Sequence, residues 1–150
     1  MLRMLVLAVA LISAMAAAKD GSMQTATGEF QVTLTPLAAE IGGTQRLALT
    51  KRFDGALAGT STGQMMSAGD PGKGQAGYVA LEVVEASLGG RRGGFALQHS
   101  GTMAGGQQQL DIRIVPGSGS GDLAGISGSM AITITGGVHH YTLNYALPAH

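Results

Sequence analysis

Glycine-punctuated alternation is the feature that most constrains this chain, and one such stretch occurs twice. The segment 55–65 returns in similar form as segment 121–130, one residue shorter. Each interior glycine costs a helix about 0.5–1 kcal/mol relative to alanine. In a closed sheet, glycines instead let strongly bent strands turn a corner. The pattern therefore predicts short, bent β-strands and disfavours helices.

The composition is that of one packed domain with few charges. Gly accounts for 25 of the 150 residues, and 45% of the chain is hydrophobic, which favours an all-β globular domain over a disordered one. Only 12% of the residues are charged and the formal net charge is zero. This gives no basic stripe for nucleic acid, so we expect no nucleic-acid partner.

The first eighteen residues have the pattern of a secretory signal peptide. Arg3 provides a positive start, residues 5–14 form an apolar stretch, and small residues at Ala14, Ala16 and Ala18 suit signal cleavage. A permanent membrane anchor would need about 20 apolar residues. The chain has no cysteine, which excludes disulfides and a lipid-modified cysteine. We therefore predict a signal peptide at residues 1–18 and a single domain at 19–150, secreted or periplasmic and free of the membrane after cleavage.

Eight strands are predicted between turn signals, with no helix longer than about two turns after residue 20. They span residues 25–37, 44–53, 56–68, 75–88, 95–103, 108–115, 123–135 and 138–147. A meander of antiparallel neighbours that closes into a barrel is the simplest topology, because closure removes exposed edges. A sandwich of the same strands is the main alternative. Residues predicted to point inward are Phe30, Val32, Leu34, Leu110, Ile112, Ile114, Ile132 and Ile134.

Several stretches of this sequence carry a family resemblance. Residues 51–61, 76–82, 93–103 and 121–128 resemble the bacterial family of domains of unknown function numbered 3224, the run from Phe95 to Gly101 being the most specific. The resemblance covers about residues 23–147. The family is similar in fold to the allene oxide cyclase barrel, an eight-stranded antiparallel meander, which favours the barrel over the sandwich. It implies no established activity.

The hairpin formed by the fourth and fifth strands offers the first candidate site. If opposing residues sum to 181, Glu82 faces His99, and Tyr78 lies on the same inward face. Opposing Cβ atoms lie about 4.5–5.5 Å apart, which would allow a carboxylate to imidazole hydrogen bond. A carboxylate there would orient the ring and raise its basicity.

The last hairpin adds further inward polar groups. A two-residue turn at Gly136 and Gly137 would place His139 opposite Ile134, and Tyr141 opposite Ile132, with Tyr145 on the same face. The predicted interior is thus apolar with a polar minority, which is typical of a small-molecule site. It is also typical of an ordinary barrel core.

Three functions stay open at this point. The leading prediction is an exported barrel that binds a small apolar or amphipathic molecule through His99, Glu82, Tyr78, His139, Tyr141 and Tyr145. The alternatives are an isomerase or cyclase-like enzyme that uses Glu82 and His99 as an acid/base pair, and a structural or interaction domain with a filled core. His99, His139 and Glu82 are ligand types that suit zinc or iron. Their strands need not bring them together, so we predict no metal and no cofactor.

Overall fold

Eight antiparallel strands, hydrogen-bonded in chain order, close into a barrel. The computed structural model describes residues 21–149. The strands are β1 (Gln24–Leu37), β2 (Thr44–Gly55), β3 (Leu57–Asp70), β4 (Gln75–Leu88), β5 (Arg91–Ala104), β6 (Gln107–Ile114), β7 (Ser127–Thr135) and β8 (Val138–Ala146). Because β1 pairs with β8, the predicted meander barrel is confirmed and the sandwich is wrong.

Helical structure among the described residues is confined to two three-residue 3₁₀ turns, Pro71–Lys73 and Gly121–Leu123. None of the described helices is long and apolar enough to cross a membrane. The predicted signal peptide at residues 1–18 lies outside the described residues.

One end of the barrel is sealed by the long connection between β6 and β7. This connection runs beside β5, where Ser120 N donates a hydrogen bond to Gly94 O at 2.9 Å. It then buries Leu123 and Ile126 against the core. Leu57, at the start of β3, is also fully buried in this core. The core residues therefore lie mainly towards the sealed end. Apolar burial of this kind contributes about 25 cal/mol per Å².

The opposite end, which we call the mouth, is open. Leu34, Leu110 and Ile134 belong to the inward-facing rows of their strands, yet they are 48%, 44% and 63% exposed. Their side chains lie on the predicted inward face but are exposed, because no connection covers the mouth as the β6–β7 connection covers the other end. The other five residues predicted to face inward are buried or partly buried: Phe30, Val32, Ile112, Ile114 and Ile132.

The repeated glycine segment does not repeat the same structure. Its first copy enters β3 at Leu57, whereas its second copy forms the 3₁₀ turn Gly121–Leu123 and enters β7 only at Ser127. The predicted start of this strand at residue 123 is therefore wrong. Turn hydrogen bonds replace the ladder there, with Ile126 N donating to Leu123 O at 3.1 Å.

Candidate functional site

A two-residue turn sets the register of the hairpin that carries the candidate site. Gly89 and Gly90 adopt φ angles of +58° and +79°, which suits the tight turns that match strand twist. Leu88 and Arg91 flank this turn as partners, so opposing residues sum to 179. The predicted sum of 181 is wrong, because the turn is centred one residue earlier than expected.

Glu82 and His99 nevertheless meet inside the barrel. His99 lies opposite Ala80, and Glu82 lies opposite Leu97. A shift of two residues between the strands leaves every side chain on its original face, whereas a shift of one would not. His99 Nε2 is 2.9 Å from Glu82 Oε1, so the predicted contact is present across a diagonal rather than between opposing residues.

Two further side chains complete a buried polar cluster. Lys51 Nζ donates to Glu82 Oε1 at 2.8 Å, and Ser61 Oγ donates to Glu82 Oε2 at 2.7 Å. The register explains this meeting, since Lys51 of β2 lies opposite Ser61 of β3. All four side chains are buried, and Glu82 is 0% exposed. We call Lys51, Ser61, Glu82 and His99 the Glu82 cluster.

Glu82 is a carboxylate anion within this cluster. Burial alone would raise its pKa, but the hydrogen bond from His99, the charge and hydrogen bond of Lys51 and the hydrogen bond from Ser61 outweigh burial. Together they lower the pKa of Glu82 to about 2. An ionised carboxylate can only accept hydrogen bonds, so His99 Nε2 carries a proton and donates it towards Glu82.

The ammonium group of Lys51 also contacts two aromatic rings. Lys51 Nζ lies 4.9 Å from the ring centroid of Phe30 and 5.8 Å from that of Phe53. Such cation–π contacts favour a desolvated ammonium. His139, half-buried, packs on Phe30 with ring centroids 5.0 Å apart. Phe30 therefore contacts both His139 and Lys51 of the Glu82 cluster.

Lys51 and Ser61 were missed as site residues from sequence alone. The signal for Lys51 was present, because it alternates with Leu49 and Phe53 on the inward face of β2. An inward lysine needs a counter-charge, since an unpaired buried ammonium is strongly disfavoured. Ser61 became recognisable only once the β2–β3 register was known.

Tyr141 and Tyr145 lie towards the sealed end, away from the Glu82 cluster. The Tyr141 hydroxyl accepts a hydrogen bond from Leu57 N at 2.8 Å. The Tyr145 hydroxyl lies 2.9 Å from Gln24 Oε1. The register predicted for the β7–β8 hairpin is confirmed, with Ile132 opposite Tyr141. Both tyrosines therefore connect neighbouring parts of the barrel wall through hydrogen bonds of their hydroxyl groups.

A cavity of about 280 Å³ occupies the mouth. Inward-facing residues of β2 to β6 form most of its wall, joined by Pro71 from the turn before β4. The apolar lining residues are Leu47, Met65, Pro71, Ala76, Met103 and Leu110. Tyr78, Ala80 and Glu82 are successive inward positions of β4, so the cavity begins two inward positions from the buried carboxylate.

Tyr78 supplies a polar group to this cavity. Its ring packs closely over Gly101, where an added Cβ would clash with Tyr78 Cε1. Burial raises the pKa of Tyr78, and the negative charge of Glu82 raises it further. The phenol is therefore neutral at pH 7 and can donate a hydrogen bond. Within residues 21–149 its hydroxyl has no hydrogen-bond partner.

The arrangement of histidines and carboxylates does not resemble a metal centre. Among the described residues, no group of three or more histidine, aspartate or glutamate side chains is placed to hold a metal ion. Glu82 and His99 are in contact, but His139 packs on Phe30. The three residues considered as metal ligands thus fail to form one site.

Comparisons with known proteins agree with this fold. The family model described as a protein of unknown function (DUF3224) matches residues 26–145. The chain belongs to the DUF3224 family. A crystal structure of a DUF3224 protein of unknown function from Shewanella oneidensis MR-1 is similar, with 45% sequence identity and a TM-score of 0.80. The match covers 86% of this chain and 100% of that chain. A comparison with curated proteins gives no match.

Proposed function

We propose that this DUF3224 barrel binds a small, mainly apolar molecule in the cavity at its mouth. The observation that carries the proposal is the unpartnered Tyr78 hydroxyl within an otherwise largely apolar lining. Binding sites commonly combine an apolar wall with a few polar groups that fix orientation. A ligand with one hydrogen-bond acceptor would satisfy this hydroxyl while its apolar part contacts Leu47, Met65 and Leu110.

The size of the cavity limits the ligand. Ligand pockets typically enclose about 300–1,000 Å³, and the cavity measures about 280 Å³. This favours a compact molecule over a drug-sized one. The open mouth would leave one end of a longer amphipathic molecule in solvent.

The Glu82 cluster would form a rigid layer of side chains below this ligand. Both carboxylate oxygens of Glu82 already accept hydrogen bonds, from Lys51 and His99 on Oε1 and from Ser61 on Oε2. Buried networks that are fully satisfied rigidify their surroundings. A rigid layer lowers the conformational entropy that the protein loses on binding, since less of the site must be ordered.

The acid/base alternative gains less support from the same geometry. An efficient general base has a pKa near the working pH, whereas the pKa of Glu82 is lowered to about 2. Its two oxygens are also occupied. Glu82 is better suited to holding Lys51 and His99 in place than to removing a proton from a substrate.

A dye titration tests the proposal directly. The uncharged apolar dye N-phenylnaphthylamine should bind the mature protein with a saturable rise in fluorescence. Ala76→Phe places a phenyl ring at a residue that lines the cavity and should weaken binding roughly tenfold or more.

Ala131→Phe is the matched control, because Ala131 is exposed and opposite Thr142 on the outer side of the β7–β8 hairpin. Its dye affinity should equal that of the unmodified protein. Equal affinity in Ala76→Phe, with unchanged circular dichroism, would refute binding at the mouth.

A further inference from the structure

One seam of the barrel is almost unpaired. Strands β6 and β7 are in register at a single residue pair, Arg113 with Ser129. Each of the other seven neighbouring strand pairs is in register over at least seven residue pairs. Continuing the antiparallel register would place Asp111 opposite Ala131, yet no such pairing forms. The ladder between the two strands therefore ends at Arg113, and we call the unpaired stretch between Arg113 and the mouth the β6–β7 seam.

The backbone groups that face the seam follow from the alternation along each strand. Val115 N donates to Ala96 O of β5 at 2.9 Å, so odd-numbered residues of β6 turn their backbone groups to β5. The N–H and C=O groups of Gln108 and Leu110 must then point towards β7.

The same argument applies to β7. Thr135 and Val138 are partners across the two-residue turn at Gly136 and Gly137, which makes Thr135 the residue that bonds to β8. The backbone groups of Ile132 and Ile134 consequently point towards β6. Across the seam, Leu110, Ile132 and Ile134 thus offer N–H and C=O groups without a strand partner in the described part of the chain.

The side chains beside the seam alternate in a way that selects the chemistry of a partner. Leu110, Ile132 and Ile134 lie on the inward face, whereas Gln109 and Thr133 lie on the outward face. A strand added here would continue the sheet if it carried apolar residues on its inner side and polar residues on its outer side.

Protection against strand addition is weak at these edges. Exposed edges in native proteins are commonly blocked by proline, lysine or a covering segment. Residues 107–113 and 129–135 contain neither proline nor lysine. The charged side chains beside the seam, Asp111 and Arg113, pair with each other at 2.8 Å, so neither charge stands unopposed at the edge.

We propose that the β6–β7 seam binds an extended peptide segment of another polypeptide by strand addition. The segment would enter at the mouth and run antiparallel to one edge and parallel to the other, since β6 and β7 are themselves antiparallel. It would place alternate apolar side chains beside Leu110, Ile132 and Ile134. This site is separate from the small-molecule function proposed above, because it uses backbone groups and not the Tyr78 hydroxyl.

A single extended segment fits the seam better than a second barrel. The two unpaired edges belong to neighbouring strands of one wall and meet at the Arg113–Ser129 pair. A second copy would present an equally recessed seam, which cannot enter the first. A free strand or tail has both of its edges available.

Peptide titration tests this proposal. A synthetic peptide of alternating valine and threonine, with a lysine at each end for solubility, should bind saturably in isothermal titration calorimetry. The same peptide methylated on alternate backbone nitrogens along one edge should bind roughly tenfold more weakly or worse, because strand addition depends on main-chain hydrogen bonds.

Variants locate the binding. Ile134→Pro removes an N–H that faces the seam while sparing the β7–β8 ladder, and it should abolish peptide binding. Ile134→Lys adds an edge-blocking charge and should weaken binding roughly tenfold. Ile41→Lys is the matched control, because Ile41 is 57% exposed in the connection between β1 and β2, and its affinity should be unchanged.

Hydrogen exchange on the free protein distinguishes the competing arrangements. The proposal expects fast exchange at the amides of Leu110, Ile132 and Ile134, and slowing when the peptide is added. Slow exchange in the free protein at all concentrations would show a closed seam and overturn the proposal. Protection that increases with protein concentration would assign the seam to a second copy and would overturn it equally. Equal affinity for the methylated and unmethylated peptides would also overturn the proposal.

Discussion

Replacing Glu82 by glutamine tests the energetics of the barrel interior. Glutamine has nearly the same shape and approximates the protonated, uncharged carboxyl group. It would leave the Lys51 ammonium buried without its counter-charge, beside the Phe30 and Phe53 rings. We expect Glu82→Gln to lower the free energy of unfolding strongly at pH 7.

The magnitude follows from the pKa of the carboxylate. The pKa of Glu82 falls from 4.5 to about 2 on folding. At about 1.36 kcal/mol for each pKa unit, ionised Glu82 contributes about 3 kcal/mol of stability at pH 7. Because the folded pKa is depressed, this contribution is present above pH 4.5 and is lost as the pH falls towards about 2. The gap between the two proteins should shrink to roughly half at pH 3.

Urea unfolding followed by far-ultraviolet circular dichroism at pH 7 and pH 3 measures this gap. Glu85→Gln is the matched control, since Glu85 is exposed on the same strand, and it should change stability by less than about 0.5 kcal/mol. A Glu82→Gln gap below about 1 kcal/mol at pH 7, or one that does not narrow at pH 3, would refute the reasoning.

Two further substitutions probe the sealed end and the hairpin that sets the register. Tyr141→Phe should cost about 1–3 kcal/mol in urea unfolding, because Leu57 N loses its buried acceptor; an unchanged midpoint would contradict this role. Gly90→Ala should cost about 1–2 kcal/mol, since Gly90 has φ +79° and open space around it, whereas Gly42→Ala, also in open space but without a positive φ, should be near neutral. Equal thermal stability of these two alanine variants would show that the turn is not strained.

Much of the fold could be predicted from alternation and turn residues. Phe30 and Ile112 mark the inward faces of β1 and β6, and the Gly136–Gly137 turn fixes the β7–β8 register without ambiguity. The β4–β5 register was harder to predict, because two Gly-Gly pairs, at residues 89–90 and 93–94, allow more than one turn centre. The Glu82–His99 contact was still predicted correctly, because the error in the register was two residues and left both side chains on the inward face.

Other features depend on long-range pairing that local pattern does not encode. Leu110 and Ile134 have the alternation of buried residues, but they are exposed because they lie at the uncovered mouth. Ser61 joins the Glu82 cluster because β3 pairs with β2 and β4 at once. The second glycine segment, around Leu123, becomes a turn because it must cross the sealed end of the barrel.

Native mass spectrometry of the protein purified from its own host tests the central claim, that the mouth cavity holds a small molecule. The account predicts a population of discrete added mass that disappears in Ala76→Phe and persists in Ala131→Phe. Absence of any added mass, together with failure of N-phenylnaphthylamine to bind, would contradict the account. So would an added mass that Ala76→Phe retains in full.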